Sequence, residues 1–493
     1  MKAQLSRAGR IAPLLAAAVL AGCTVGPDYH LPARATFNTP GAQVPFVGTS
    51  GAAVTGDELP FQWWHLYRSS DLDRLVTAAL AENTDLRVAE ANLERSRAMV
   101  DLARYQGQPK LGLDVGYSRS QTSAEQYVSS AYLTPSDVYN LKLSASYELD
   151  LFGRIRRGIE AAKADDEAVE AARDWVRVSV AADVTAAFLD VCSAGNELSA
   201  ANRSLNLQQQ SLALTRQLKD GGRATRLDLA RSQTLVDQIQ SNIPAIEARR
   251  RNALFRLATL TGRPPSEFEA DLTRCVAAPL LGHPIPVGDG AALLRRRPDI
   301  RVAERQLAAR TAEIGVATAE LYPRIVLGAS IGSVGLVDDM LSHATNFWSV
   351  GPGISWEFNQ NGPRARIAAA TATQKGQLAR FDGIVLGALR EVETALNNYT
   401  HDLDRQKSLV AARDEAARAV AEARALQAGG RSGALATLDA ERTLVSAEAV
   451  LASMRTQIAH DQVVLFLALG GGWEATAKPV KDASLRSNVS ARQ

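Results

Sequence analysis

Residues 85–90 read "DLRVAE", residues 299–304 read "DIRVAE", and the likeness runs on without a gap. "DLRVAEANLERSRAMVDLARYQGQPKLGL" lies over "DIRVAERQLAARTAEIGVATAELYPRIVL", which sets Pro109 over Pro323. Farther along, "SYELDLFGRIR" parallels "SWEFNQNGPRARI", and "GGRATRLDLARSQTLV" parallels "GGRSGALATLDAERTLV". The period is far longer than that of a solenoid, so each copy is a domain-sized unit and the fold consists of two related halves. Residues 23–262 form the first repeat and 291–472 the second, joined by a Pro-rich linker over 263–290. Residues 473–493 form a C-terminal tail.

Both copies keep the same order of elements. A helix carrying the shared motif stops at Pro109 or Pro323, two strand-like segments follow, and two very long helices close the copy. From Arg154 to Asp220 there is no proline, and the only glycines are Gly158 and Gly195. Val184, Val191, Leu198, Leu205 and Leu212 recur at every seventh position, with Ala187, Ala194 and Ala201 three residues after the first three. That is a coiled-coil seam with small residues in its second row. At 1.5 Å per residue the helix runs roughly 100 Å, more than a compact domain accommodates. The chain is expected to turn at Gly221 and Gly222 and return to about Thr261. It then rises from about Arg364, turns at Gly429 and Gly430, and returns to Gly470. Pro244 falls inside the first returning helix, where the second copy has Ala452, and predicts a bend in that hairpin alone.

The strands carry a different signal. In "LKLSASYELD", Leu141, Leu143, Ala145, Tyr147 and Leu149 alternate with Lys142, Ser144, Ser146, Glu148 and Asp150. In "FWSVGPGISWEFN", Trp348, Val350, Pro352, Ile354, Trp356 and Phe358 share one face, and "LGLDVGYS" and "RIVLGASIGS" are the partner strands. Alternating segments of about ten residues with aromatics near their ends fit a membrane β-barrel with a wet interior. Four strands per chain are too few for a closed barrel, and an open sheet edge cannot sit in lipid, so several chains must pool their strands. Pro352 removes a ladder donor, and a bulge or bend is expected there.

Residues 1–22 read as an export signal, with Lys2, Arg7 and Arg10 ahead of the apolar run "IAPLLAAAVLA". That run is shorter than the about 20 residues a spanning helix needs. The 55 basic and 53 acidic side chains nearly cancel, so charge gives no reason to propose a nucleic-acid partner. An exported chain can form disulfides. Cys192, however, lies within the long helical pattern and reads as a small buried apolar residue rather than part of a disulfide framework.

Two resemblances follow from quoted residues. "LAGC" resembles the lipobox of bacterial lipoproteins, which implies that Cys23 becomes the lipidated first residue, and that Thr24 in place of an aspartate directs the protein to the outer membrane. "LAGCTVGPDY", "WWHLYRSSDLDRLV", "RRRPDIRVAE" continuing to "AELYP", "GPGISWEF", "TLDAERTLV" and "LGGGW" together resemble the TolC-like outer membrane factors, specifically the lipoprotein branch of tripartite efflux pumps. The likeness covers essentially the whole mature chain. It implies an α+β, mostly α fold: coiled-coil helical hairpins forming a periplasmic α-barrel in a homotrimer, capped by a twelve-stranded transmembrane β-barrel to which each chain gives four strands. The chain ends and the linker would form a mixed belt around the tube.

The function this implies is a passive exit duct for small molecules across the outer membrane. Its partners would be a periplasmic adaptor, an inner-membrane proton-driven transporter and outer-membrane lipid. The adaptor is expected at the hairpin tips Gly221, Gly222, Gly429 and Gly430. The resemblance places a periplasmic gate at Leu435 and Asp439, four residues apart on one helix face. Their counterparts in the first copy are Leu227 and Arg231, and an Arg231–Asp439 pair would hold the tips closed.

The same residues carry no chemistry that contradicts a duct. "GASIG" over 328–332 matches a nucleophile elbow, but Ser330 sits inside an alternating strand pattern rather than a sharp turn. The six histidines lack metal spacing, no phosphate-binding loop is written, and no cofactor or catalytic residue is implied. Arg295–Arg297 read as the end of a short helix before Pro298, facing nearby acids. A channel for type I protein secretion is the nearer rival reading. A periplasmic coiled-coil scaffold is the farther one, since it leaves the strand alternation unexplained.

Overall fold

The computed structural model describes residues 24–49, 53–121, 123–127, 134–279 and 281–472, so the signal segment, Cys23 and the C-terminal tail lie outside the described residues. After β1 (Val54–Thr55) and α1 (Ser70–Glu82), the first copy runs α2 (Thr84–Tyr105), β2 (Lys110–Ser120), β3 (Ser136–Leu149), α3 (Arg154–Asp220) and α4 (Arg226–Leu260). The linker contributes β4 (Ile285–Pro286) and α5 (Gly290–Arg296). The second copy follows with α6 (Pro298–Ala319), β5 (Arg324–Leu336), β6 (Asn346–Ser355), α7 (Asn361–Ala428) and α8 (Ala434–Leu469). Helix α4 continues through Pro244 without a break.

The duplication is repeated bond for bond in the hairpin tips. After α3, Gly222 N–H donates to Lys219 O at 3.0 Å and Arg223 N–H to Leu218 O at 2.7 Å. After α7, Gly430 N–H donates to Gln427 O at 3.0 Å and Arg431 N–H to Leu426 O at 2.8 Å. Both are Schellman endings, which require a left-handed residue, and Gly222 (φ 72°) and Gly430 (φ 69°) supply it. The next helix starts differ. Thr225 and Asp228 form a capping box at the head of α4, whereas Gly433 heads α8 with no side-chain cap.

The chain divides into two compact units. The first comprises residues 24–32 with Leu93–Val169 and Val302–Phe381, and it holds the four-stranded antiparallel sheet in the order β2-β3-β5-β6. Its register sets Leu113 beside Leu143, Leu143 beside Ile331, and Ile331 beside Trp348 on one face. On the other face Asp114, Lys142, Gly332 and Phe347 are aligned, and Ser144, Ser330 and Ser349 form a similar row. The apolar face is left bare: Leu113 is 68% exposed and Trp348 76%. Strands β2 and β6 have a single neighbour each. No bulge accompanies Pro352, which pairs with Leu327 in an unbroken register. The expected bulge is therefore not formed: within one chain β6 has β5 on one side only, and a single missing donor leaves the ladder in register.

The second unit comprises Ala33–Asn92, Glu170–Arg301 and residues 382–472. Here β1 pairs in parallel with β4, joining the N-terminal segment to the linker. Trp63 stacks on Phe466 with ring centroids 4.4 Å apart, and its indole N–H donates to Gly471 O at 3.2 Å, so "WWHLY" and the "LGGG" that ends α8 meet in one core. Arg297, at the end of α5, is buried between Asp299 and Glu391 and donates to Ala468 O at the end of α8. The coiled-coil stripe buries Val184, Val191 and Leu212 as its spacing requires. Cys192 corrects an expectation: it is fully buried, but it is bonded to Cys275. The helix pattern around Cys192 carried no sign that the irregular segment after α4 returns to it.

Candidate functional site

The tip residues converge within the second unit. Leu227, Arg231, Leu435 and Asp439 all line one cleft of about 500 Å³ between α4 and α8. Leu227 is 57% exposed and Leu435 52%, which leaves both apolar side chains available to further surfaces. The expected ion pair is not made within one chain. Asp439 Oδ1 has Arg442 Nη2 at 3.7 Å on its own helix, and Arg231 acts on Asp228 on its own helix. Among the described residues no ion pair joins Arg231 to Asp439, because each has an oppositely charged neighbour one turn away. The Thr225 hydrogen bonds, made by its hydroxyl and its backbone N–H, hold the Asp228 carboxyl below the usual carboxylate range. Gly221, Gly222, Gly429 and Gly430 are all exposed.

A polar row that the sequence did not disclose runs behind this cleft. Asp190, Glu197, Ser204 and Ser211 of α3 stand one position ahead of the apolar stripe Val191, Leu198, Leu205 and Leu212. Each meets a side chain of α8. Asp190 lies 2.8 Å from His460 Nε2. Thr456 Oγ1 donates to Glu197 Oε1 at 2.8 Å, Ser204 Oγ to Glu448 Oε2 at 3.0 Å, and Ser211 Oγ to Glu441 Oε2 at 2.9 Å. Arginines complete two of the carboxylates. Arg249 pairs with Glu197, and Arg424 donates from Nε and Nη2 to Glu441 Oε1 at 3.1 and 2.8 Å. Glu441 is 4% exposed, and these partners supply the hydrogen bonds that its buried carboxylate oxygens need. The row therefore ties the first hairpin to the second along α3 and α8 as far as the tips. The heptad spacing was legible; the partners on α8 were not, since they fall at irregular intervals.

At the inner end of the same row lies a titrating pair. Burial pushes Asp461 up to about 6, helped by the Asp402 carboxyl of α7 and opposed by a hydrogen bond from Gln457. The hydrogen bond to Asp190 raises the neighbouring His460, against the effect of burial.

The position next to Cys23 is also defined. Thr24 packs over Gly153, and Val25 N–H donates to Phe152 O at 3.2 Å in the turn between β3 and α3. Arg157, whose side chain is buried, holds Val25 O and Gly26 O at 3.2 Å each and Asp28 Oδ1 at 2.7 Å. The segment after Cys23 is thus fixed at the helical end of the sheet. Ser330 lies mid-strand in β5 and bonds Ser349 across the ladder at 2.8 Å, with no turn to present a nucleophile. Among the described residues no three His, Cys, Asp or Glu side chains gather as metal ligands would.

The family model described as "Outer membrane efflux protein" matches residues 75–263 and 291–471, one span in each repeat. The toluene efflux pump outer membrane protein TtgI of Pseudomonas putida is 31% identical, over 94% of this chain and 98% of that protein. The pyoverdine export outer membrane protein OpmQ of Pseudomonas putida is 30% identical, over 89% of this chain and 94% of that one. Among solved structures, the outer-membrane channel OprN superposes with a TM-score of 0.84 at 35% identity, covering 92% of this chain and all of that chain.

Proposed function

Because this chain belongs to the outer membrane efflux protein family, a family of non-enzymatic transport channels of the outer membrane, we propose that three copies assemble into a gated exit duct for small molecules. The observation that carries the assembly is the four-stranded sheet, with one bare apolar face, one polar and glycine-rich face, and two open edges. An apolar face this large needs a non-aqueous neighbour, and both edges need strands from other chains before the sheet can enter lipid. Three sheets joined edge to edge satisfy both demands. They form a twelve-stranded barrel with the Leu113–Trp348 face to lipid and the Asp114–Lys142 face to the lumen.

Under threefold symmetry the cleft residues become rings. Leu435 supplies an apolar constriction, Asp439 an acidic one that favours cations, and Leu227 and Arg231 flank them. The exposed glycine tips are the contact for a periplasmic adaptor, through which an inner-membrane proton-driven transporter supplies the energy. Cys23 is the lipidated first residue. Its neighbour Thr24 sits at the helical end of the sheet, where an acyl chain reaches the membrane directly. The relatives named for toluene and for pyoverdine favour small-molecule efflux over protein secretion. Reconstitution of the purified mature protein in planar bilayers tests the reading. Trimer-sized particles with discrete conductance steps are expected, and a monodisperse monomer without conductance overturns it.

A further inference from the structure

We infer that the loop joining β5 to β6 is a lipid-facing lip: it folds back over the apolar face of the sheet, sets Met340 and Leu341 against the acyl chains of the outer leaflet, and leaves the lumen clear. The inference rests on the barrel proposed above.

Register fixes the direction in which the loop folds. Tyr139 pairs with Tyr117 across β3 and β2, so both rings project from the apolar face. Tyr117 is 67% exposed, whereas Tyr139 is only 5% exposed, and what covers Tyr139 is the loop. The Tyr139 hydroxyl accepts the Leu341 N–H at 2.9 Å and donates to Thr345 Oγ1 at 2.9 Å. Ser333, which shares the apolar face with Ile331, lies 2.5 Å from the same hydroxyl and 2.8 Å from Thr345 Oγ1. Thr345 also lies over Gly335, where an added Cβ would sit 2.5 Å from its methyl group. Every one of these contacts lies on the lipid side.

The far end of the sheet is the outer one, since the helices enter and leave at Lys110, Leu149, Arg324 and Ser355. There the loop presents Met340 at 54% and Leu341 at 59% exposure, continuing the bare apolar face beyond the last ladder pair. Leu341 is one of two non-glycine residues with positive φ, at 59°, among the described residues. A leucine avoids this conformation unless its surroundings impose it, and the Tyr139 hydroxyl holding its N–H does so. The device is therefore a tether: one phenol turns the loop outward, and the turned loop gives an apolar pair to the lipid.

A single introduced cysteine reports on this, because Cys192 and Cys275 are bonded to each other and Cys23 is acylated in the reading above. Met340→Cys, Leu113→Cys and Ser118→Cys are each labelled with bimane in the full mature protein. Each is reconstituted in phosphatidylcholine vesicles with or without brominated acyl chains. Leu113 reports the lipid face and Ser118 the lumenal face. Brominated lipid should quench the label at 340 to the extent seen at 113 and leave 118 unaffected. Adding Tyr139→Phe should restore fluorescence at 340 while leaving 113 quenched. Quenching at 113 with none at 340 overturns the lip and leaves the barrel standing. Equal quenching at 113 and 118 overturns the face assignment, and the lip with it.

Discussion

Ser211 of α3 donates its hydroxyl hydrogen to Glu441 of α8 across 2.9 Å, the contact nearest the tips in a row that binds the two hairpins of one chain. Glu441 is nearly inaccessible, and its other oxygen holds Arg424. A gate at the tips has to open against this row. Glu441→Ala removes the carboxylate and leaves a half-buried hydroxyl and a guanidinium without their acceptor, which costs about 1–3 kcal/mol. Unfolding of the assembled protein in denaturant should show that loss. A double-mutant cycle with Ser211→Ala should return a coupling on the order of 0.5–1.5 kcal/mol. Strict additivity would remove Ser211 from the latch.

The gate is tested at Leu435 and Asp439. The double variant Leu435→Ala with Asp439→Ala widens both proposed rings, so single-channel conductance rises and large antibiotics enter cells that exclude them. Unchanged conductance and susceptibility in a correctly assembled variant would sink the assignment.

Acid should tighten the bundle. Asp461 has a folded-state value of about 6, above its ordinary carboxylate value, so the folded state binds the proton more strongly than the unfolded chain does. Stability from that proton is present at low pH and is lost as pH rises toward and through 6. His460 is also raised, so its contribution is full below the ordinary imidazole value and fades as pH climbs past it. Both groups act in the same direction, against surroundings that include Asp402, Asp190 and Arg256. Melting temperature should therefore fall between pH 5 and pH 7.5, by the equivalent of roughly 1–3 kcal/mol. Asp461→Asn should flatten most of that slope; an unaltered slope in this variant would assign it elsewhere.

The disulfide joins positions 83 apart and closes a loop that contains the tip of the first hairpin and all of α4. Cys192→Ser with Cys275→Ser should cost about 2–4 kcal/mol, chiefly by freeing the unfolded chain. Denaturant titration with and without a reductant measures it, and reductant should have no further effect on the double variant.

At the N-terminus, intact-mass measurement of the mature protein should begin at Cys23 and carry the added mass of acyl chains. Cys23→Ala should lose that mass yet still assemble, because each buried methylene adds only about 0.8 kcal/mol of membrane affinity and the barrel supplies the main anchor. An unmodified Cys23 refutes lipidation.

How far the sequence could be read depended on where the determining partner lies. Helix α3 was legible from Arg154 to Asp220 because its stripe depends on residues within one helix. The strands were legible because alternation is local. Cys192 was misjudged, since its neighbours in sequence are helical and apolar while its partner stands 83 positions away. The bulge expected at Pro352 does not form, because whether a missing donor breaks a ladder depends on the neighbouring strands, a property of the sheet and not of the strand. The row from Asp190 to Ser211 has its own seven-residue period, but exposed and buried polar residues look alike until a second helix is laid against them.

Strands β2 and β6 end the sheet with unpaired backbone, and this makes concentration part of the folding problem. For most proteins dilution protects refolding, because collisions between incomplete chains lead to aggregates. In the proposed barrel, collision is also how the edges are capped, and edges left waiting are templates for wrong partners. Dilution starves assembly while crowding invites misassembly. The yield of correctly closed particles should therefore peak at an intermediate chain concentration, and a melting temperature for this protein is defined only alongside the concentration at which it was taken.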